Sequence, residues 1–362
     1  MLGATFLSSA AGIPAVPLYF EQRVDHFSAS NATFLQRYYL NDTSASATPV
    51  ILVIMGGEGA IPPSTGFFYP FVVDVLAPKF EALVIEPEHR FYGASLPFGS
   101  ATSYEIEHLR LLTPMQALAD TAELIRSVQR GRNCSLVRGT PTYCPVFTIG
   151  GSYPGWMSAM MRLRYPAVID GAYAASAPMN FYAQRVSQYD YYTVIKRSAE
   201  RAKPGCSVAV RDALSLITAA DRSTLIQQLN LCVPLPSYMT HDVATLRDEV
   251  LMVFSYSFAG LNMANYPPGP GASLTKACDL FMEPKTKGTW APLKAFLAGG
   301  YARFAGDRQQ PAGCSIVADD ALQTNATATA CMDLSKQLPA GRNATISCGD
   351  WSGCGVGTNG LS

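Results

Sequence analysis

The sequence predicts an α/β domain built on a mainly parallel sheet, followed by a mostly helical region braced by disulfides. Three observations carry that prediction. Over the first 180 residues, apolar strand patterns alternate with helical ones, and such alternation favours a parallel sheet. A Gly150-Gly-Ser152 turn separates a strand pattern from a helical one. After about residue 185, strand-like runs become scarce and seven of the nine cysteines gather.

Each element has its own signal. Phe34 to Leu40 (FLQRYYL) is aromatic-rich and suits a strand. Val50 to Met55 (VILVIM) is continuously apolar, as a strand buried on both faces should be. Ala82 to Ile85 repeats that pattern. Thr113-Pro-Met-Gln116 opens a helix: Thr caps, Pro takes the first helical position, and Gln completes a capping box. Leu118, Ala122, Ile125 and Val128 then share one helical face. Val146 to Ile149 reads as a buried strand, a helical run starts at Trp156, and Gly171 to Pro178 reads as another short strand. Beyond the change in character, Val243, Leu246, Val250 and Val253 have helical spacing, and Pro/Gly breaks cluster at 266–272. The expected domains are residues 1–185, holding the sheet, and 186–362, helical and cysteine-rich.

Composition narrows the class. Hydrophobic residues make up 48% and charged residues 15%, which supplies a large core and argues against bulk disorder. Lys+Arg and Asp+Glu both number 27, so no basic excess points to nucleic acid. No apolar run reaches the ~18 residues of a spanning helix. The cysteines form no C-x-x-C pair and no Cys/His ligand spacing, so no structural zinc is expected; no other metal and no cofactor is expected either. Nine cysteines together with N-x-[ST] sequons at Asn31, Asn41, Asn133, Asn325 and Asn343 favour the secretory pathway. Residues 1–20 are uncharged apart from a terminal amine and lack a basic n-region, which suits either the tail of a signal peptide or a clipped start. Cys134 and Cys144 flank a polar loop just before the elbow strand and could close on each other. An odd cysteine count implies a free thiol or a partner beyond residue 362.

The chemistry centres on Val146 to Trp156 (VFTIGGSYPGW). A strand, a sharp glycine turn and a helix with serine at the apex form a nucleophile elbow. Small residues are needed because strand and helix meet almost at contact. Gly150 and Gly151 meet that need, while Pro154 stands where the usual motif has glycine and Gly155 follows it. Ser152 is the expected nucleophile. The backbone N–H of Tyr153 is the expected oxyanion donor. Gly56-Gly57-Glu58-Gly59 follows a buried strand, and a Gly-rich loop there is expected to supply the other side of the oxyanion or substrate site.

Several blocks together carry a family resemblance. They are Tyr19 to Phe27 (YFEQRVDHF), Gln36 to Tyr38, Gly56 to Gly59, Glu88 to Gly99 (EHRFYGASLPFG), Leu112 to Asp120, Gly150 to Tyr153 and Ala174 to Pro178. In that order the sequence resembles the group of serine peptidases formed by lysosomal Pro-Xaa carboxypeptidase, dipeptidyl-peptidase II and thymus-specific serine protease. The resemblance is dense over 19–180 and sparse after. It implies an α/β-hydrolase sheet interrupted by a helical, disulfide-rich insertion, a lysosomal, vacuolar or extracellular location, and peptide substrates with proline near one terminus. A homodimer is left open. Carboxypeptidase and dipeptidyl-peptidase action are not separated by these blocks.

The base is the missing part. A serine needs an imidazole within hydrogen-bond reach and a carboxylate to orient it, and in this fold they follow the serine in the chain. Of four histidines, His26, His89 and His108 precede Ser152. His89 reads as part of a polar network and His108 as a solvated surface residue. His241, in Met239-Thr-His-Asp242, is the one histidine that follows, and Asp350 is the weak candidate acid. The expectation is a chain that ends before its catalytic Asp and His, with an incomplete sheet, an exposed apolar edge and little or no activity. The rival readings are a catalytically dead relative that binds peptides or a partner, and an esterase or lipase on the same elbow.

Overall fold

The two most apolar runs of the sequence become the central strands of a six-stranded sheet. The structure is a computed structural model, and it describes residues 16–61, 66–187, 189–235, 242–263, 265 and 267–297. These residues form two compact units that divide between Ala183 and Gln184.

The first unit holds the strands β1 (Leu18–Arg23), β2 (Thr33–Asn41), β3 (Ile51–Ile54), β4 (Leu83–Pro87), β5 (Val146–Gly151) and β6 (Gly171–Ala175). Their spatial order is β1-β2-β4-β3-β5-β6. β1 and β2 form an antiparallel hairpin, β2 runs antiparallel to β4, and β4, β3, β5 and β6 are parallel. Every residue of β3 and β4 is buried, as parallel strands covered on both faces must be.

The period of two sorts their side chains. Ile51, Val53, Leu83 and Ile85 face helices α4 (Pro114–Gly131) and α5 (Ser152–Arg164), meeting Leu118, Ile125, Met157 and Met161. Leu52, Ile54 and Val84 face the other way, toward Phe67, Val72 and Ala77. Val72–Leu76 is a π-helical stretch that runs into α1 (Ala77–Phe80). Burying one such aliphatic side chain contributes about 1.5–3 kcal/mol, so both layers lock the two central strands. Short helices α2 (Gly99–Thr102), α3 (Ile106–Leu109) and α6 (Met179–Tyr182) complete the unit.

The predicted start of α4 is present. The Thr113 hydroxyl accepts from the Gln116 N–H, and Pro114 takes the first turn. The Gln116 side chain does not close the capping box. Its amide donates to Asp25 and its oxygen accepts from the His26 N–H, which ties the helix to the β1–β2 turn. The Cys134–Cys144 disulfide forms and lies in the α4–α5 core layer. β6 pairs only with β5 among the described strands. Next to that edge, Phe71, Phe80, Phe147 and Tyr173 are 40–65% exposed and line an open apolar groove of about 900 Å³.

The second unit is helical where described: α7 (Asp190–Ala202), α8 (Cys206–Ala219), α9 (Arg222–Leu229), α10 (Val243–Met263) and α11 (Ser273–Met282). The predicted stripe appears as buried Leu246, Val250 and Val253 on α10. It continues into Phe254, whose ring centroid lies 4.9 Å from that of Phe296 and 5.8 Å from that of Phe281. Cys206 and Cys278 join α8 to α11. Cys314, Cys331, Cys348 and Cys354, on which the odd count turns, lie outside the described residues.

Candidate active site

The elbow starts from steric necessity. β5 ends at Gly151, and Ser152 opens α5 with φ of 58°. A non-glycine residue held in that region costs on the order of 1–3 kcal/mol, which the flanking strand and helix must offset. The return exposes Ser152 at the apex. A Cβ at Gly150 would collide with the Pro154 carbonyl, and one at Gly155 would stand 2.8 Å from the Ala175 oxygen. Gly155 is therefore the close-approach glycine of the helix side, one position later than the usual motif. The helix also begins four residues before Trp156, which puts Pro154 in its first turn, where a missing N–H breaks no helical bond.

Proline crowds the Gly-rich loop rather than the strand. A Cβ at Gly57 would stand 2.6 Å from the Pro154 ring, and one at Gly56 would strike the Pro87 carbonyl. Those two glycines are required by contact. Gly59 is not, because a Cβ there meets nothing within 4 Å. On the strand side, the Gly151 N–H donates to the Tyr69 hydroxyl at 3.1 Å. The neighbouring Phe68 N–H donates to the buried Glu86 carboxyl, whose pKa burial pushes up to about 8.

Tyr153 links the elbow to a second layer. Its hydroxyl lies 3.0 Å from His89 Nε2, and His89 Nδ1 lies 2.7 Å from the Arg90 carbonyl. A carbonyl only accepts, so Nδ1 carries the proton and Nε2 accepts from Tyr153. Burial holds the His89 pKa below its ordinary value, which keeps the ring neutral. Both nitrogens are thus committed, and His89 is not poised to deprotonate Ser152. His26 pairs with Asp120 at 2.7 Å. His108 is not the solvated residue expected; it stacks on Phe98 with centroids 3.7 Å apart. Among the described residues, no side chain hydrogen-bonds the Ser152 hydroxyl. His241 and Asp350 lie outside the described residues.

Beneath the site lies a buried ionic lattice. The Glu88 carboxylate pairs with Arg37 and accepts from the Ile61 N–H, the Ala94 N–H and the Ser95 hydroxyl. Arg90 grips both oxygens of Asp120 at 2.6 and 2.7 Å. Gln36 donates to the Glu88 carbonyl, and Gln22 to that of Asp120.

A cavity of about 260 Å³ opens beside the elbow, lined by Glu58, His89, Tyr92, Thr113, Tyr153 and Tyr182, with Leu112 and Pro114. The structure thus gathers Ser152, Tyr153, Gly56, Gly57 and Glu58. Sequence reasoning missed Tyr69, Tyr92 and Tyr182, whose only signal is that Tyr92 falls inside the Glu88–Gly99 block. Of the sequons, Asn31 and Asn133 are exposed, Asn41 is half-buried, and Asn325 and Asn343 lie outside the described residues.

An exposed serine on a strand–turn–helix elbow, at the end of a parallel strand, defines an α/β-hydrolase. Within that class the chain belongs to the serine carboxypeptidase S28 family, whose model matches residues 22–297. It is similar to lysosomal Pro-X carboxypeptidase of Mus musculus, 34% identical over 311 residues, covering 80% of this chain and 60% of that protein. The Homo sapiens protein of the same name is 34% identical, with coverage of 74% and 53%. Thymus-specific serine protease of Homo sapiens is 34% identical over 247 residues, covering 65% of this chain and 45% of that protein. The chain therefore spans at most 60% of the length of these relatives.

Proposed function

We propose that this chain carries the acyl-transfer face of a serine exopeptidase that cuts peptides next to proline, with Ser152 as nucleophile. The observation that carries the reading is the exposed Ser152 at φ of 58° between β5 and α5. Family membership and the Pro-X relatives support the substrate class.

The steps are those of acyl transfer. Ser152 Oγ attacks the scissile carbonyl carbon while a base takes its proton. The developing oxyanion accepts from the Tyr153 N–H, a donor that the first turn of α5 leaves without an intrahelical partner. The C–N bond breaks, the amine leaves with a proton, and water hydrolyses the acyl-enzyme. The Gly56–Gly59 loop walls the site. The described residues furnish nucleophile, donor and wall, but no imidazole–carboxylate pair. We place the chain in a secretory, lysosomal or extracellular setting. Support comes from its disulfides, the exposed Asn31 and Asn133 sequons, and the lysosomal relatives.

A fluorophosphonate probe tests the nucleophile. We expect slow labelling of the folded chain that Ser152→Ala abolishes. Its rate should climb steadily with pH as hydroxide takes the base's place. A plateau with an inflection near the ordinary histidine pKa of about 6.5 would instead show a working imidazole in the chain. His241→Ala would then remove it. A folded chain that never labels overturns the reading. The unpartnered Ser152 hydroxyl would then favour a peptide-binding relative without catalysis.

A further inference from the structure

The cavity beside the elbow has an unusual balance of groups. Among the described residues, Glu58 is its one acidic residue, and no lysine or arginine lines it. Three tyrosines, Tyr92, Tyr153 and Tyr182, supply aromatic surface around that carboxyl. His89 is the remaining basic group, and it is held neutral with both nitrogens engaged. The negative charge therefore meets no cation among the described residues of its pocket. Burial raises the Glu58 pKa, which expresses the same lack of compensation. Burial first, and the Glu58 charge second, also raise the pKa of Tyr182, which lines the same cavity.

We infer that this cavity is an ammonium site, in which Glu58, framed by Tyr92, Tyr153 and Tyr182, receives the free α-amino group of a peptide substrate. A carboxylate compensates the charge, and aromatic faces attract cations that have lost water. The small volume suits the end of a chain, since pockets for drug-sized ligands run to about 300–1,000 Å³. The same charge repels a terminal carboxylate. Because Tyr153 follows the nucleophile directly, an amine held here lies a short span from the attacked carbonyl. The inference rests on the peptide-substrate reading above, and it assigns the amino-terminal side of the substrate to this cavity.

Calorimetric titration of the folded Ser152→Ala chain tests it without any turnover. The probes are alanyl-proline amide, its N-acetyl form, and N-acetyl-lysyl-proline amide. We expect the free α-amine peptide to bind about tenfold or more tightly than its acetylated form, in the range of a desolvated carboxylate and cation–π site. Glu58→Gln should erase that preference while leaving the unfolding midpoint unchanged. If Glu58→Gln fails to fold, Tyr182→Leu should reduce the preference instead. Equal binding of the acetylated peptide, or equal binding of the acetyl-lysyl peptide, overturns the assignment. Fluorophosphonate labelling at Ser152 with no amine preference sinks this inference alone. Amine preference without labelling sinks only the nucleophile.

Discussion

Both units bury apolar layers, and they differ in the charge buried beside those layers. The first threads a lattice of buried charge between its sheet and loops: Arg37 with Glu88, and Asp120 with both Arg90 and His26. The second is filled by aliphatic and aromatic side chains around Phe254, Phe281 and Phe296, and Glu249, Ser257 and Thr275 are its buried polar residues among those described. An apolar core accepts many sequences of similar volume and pattern. A buried ionic lattice does not, because each donor needs its own acceptor at a fixed place. Four of the seven blocks that carry the family resemblance, 19–27, 36–38, 88–99 and 112–120, contribute charged and polar members of the lattice. Those four motifs therefore mark the frame that holds the elbow.

The largest expected effect breaks the lattice at one point. Asp120→Ala leaves the fully buried Arg90 without its carboxylate and takes from His26 its partner. Removing one member of a buried pair costs about 3–5 kcal/mol, and chemical denaturation should read that loss. Replacing both charges, Arg90→Met with Asp120→Leu, should recover only part of it, because an apolar pair can match a buried ion pair but leaves His26 and the Val24 and Arg23 carbonyls without their partners. In the second unit, Phe281→Ala should cost a similar ~3–5 kcal/mol, with no rescue by a second truncation. An Asp120→Ala chain as stable as its parent would end the distinction between the cores.

The disulfides sharpen the comparison at a slightly smaller scale. Cys206–Cys278 closes a separation of 72 residues and Cys134–Cys144 one of 10. Loop-closure entropy puts their contributions at about 4 and about 3 kcal/mol. Paired Cys→Ser variants, unfolded thermally, should rank in that order. The reverse order would show that the short bridge acts through native packing in the α4–α5 core instead.

Much of the frame was legible in the sequence because period and punctuation are local. Ile51–Ile54 and Leu83–Pro87 announce themselves by unbroken apolarity, α4 by its cap, and the elbow by glycines that contact demands. β1 was not legible, because its one fully buried side chain is Gln22, a polar residue that leaves no apolar alternation. Gln116 was half legible. The position was right for a capping box, yet its side chain answers to Asp25 and His26, about 90 residues away in sequence. His108 differs because Phe98, ten residues earlier, stacks on it from outside its own helix. At the site, Gly56, Gly57, Glu58, Ser152 and Tyr153 could be named from local pattern. The wall of Tyr92 and Tyr182, and the hold of Tyr69 on Gly151, come from distant segments that no spacing rule connects.

The smallest effect concerns the residue that departs from the usual elbow. Pro154 sits where a glycine is expected, and its ring fills the space that a Gly57 side chain would need. Pro154→Gly restores the common motif, yet it releases a backbone that proline had restricted and empties the contact with the Gly-rich loop. The expected loss is about 1 kcal/mol, or about 2–4 °C in unfolding temperature for a domain of this size. Coupling separates the entropic part from the contact. Gly57→Ala should be costly beside Pro154 and much milder beside glycine, with an interaction energy of about 0.5–3 kcal/mol in a double-mutant cycle. Strict additivity would mean that the loop moves away from the ring without cost. Strong coupling would mean that proline and Gly57 are one device, in which the first turn of α5 holds the Gly56–Gly59 wall at a fixed distance from Ser152.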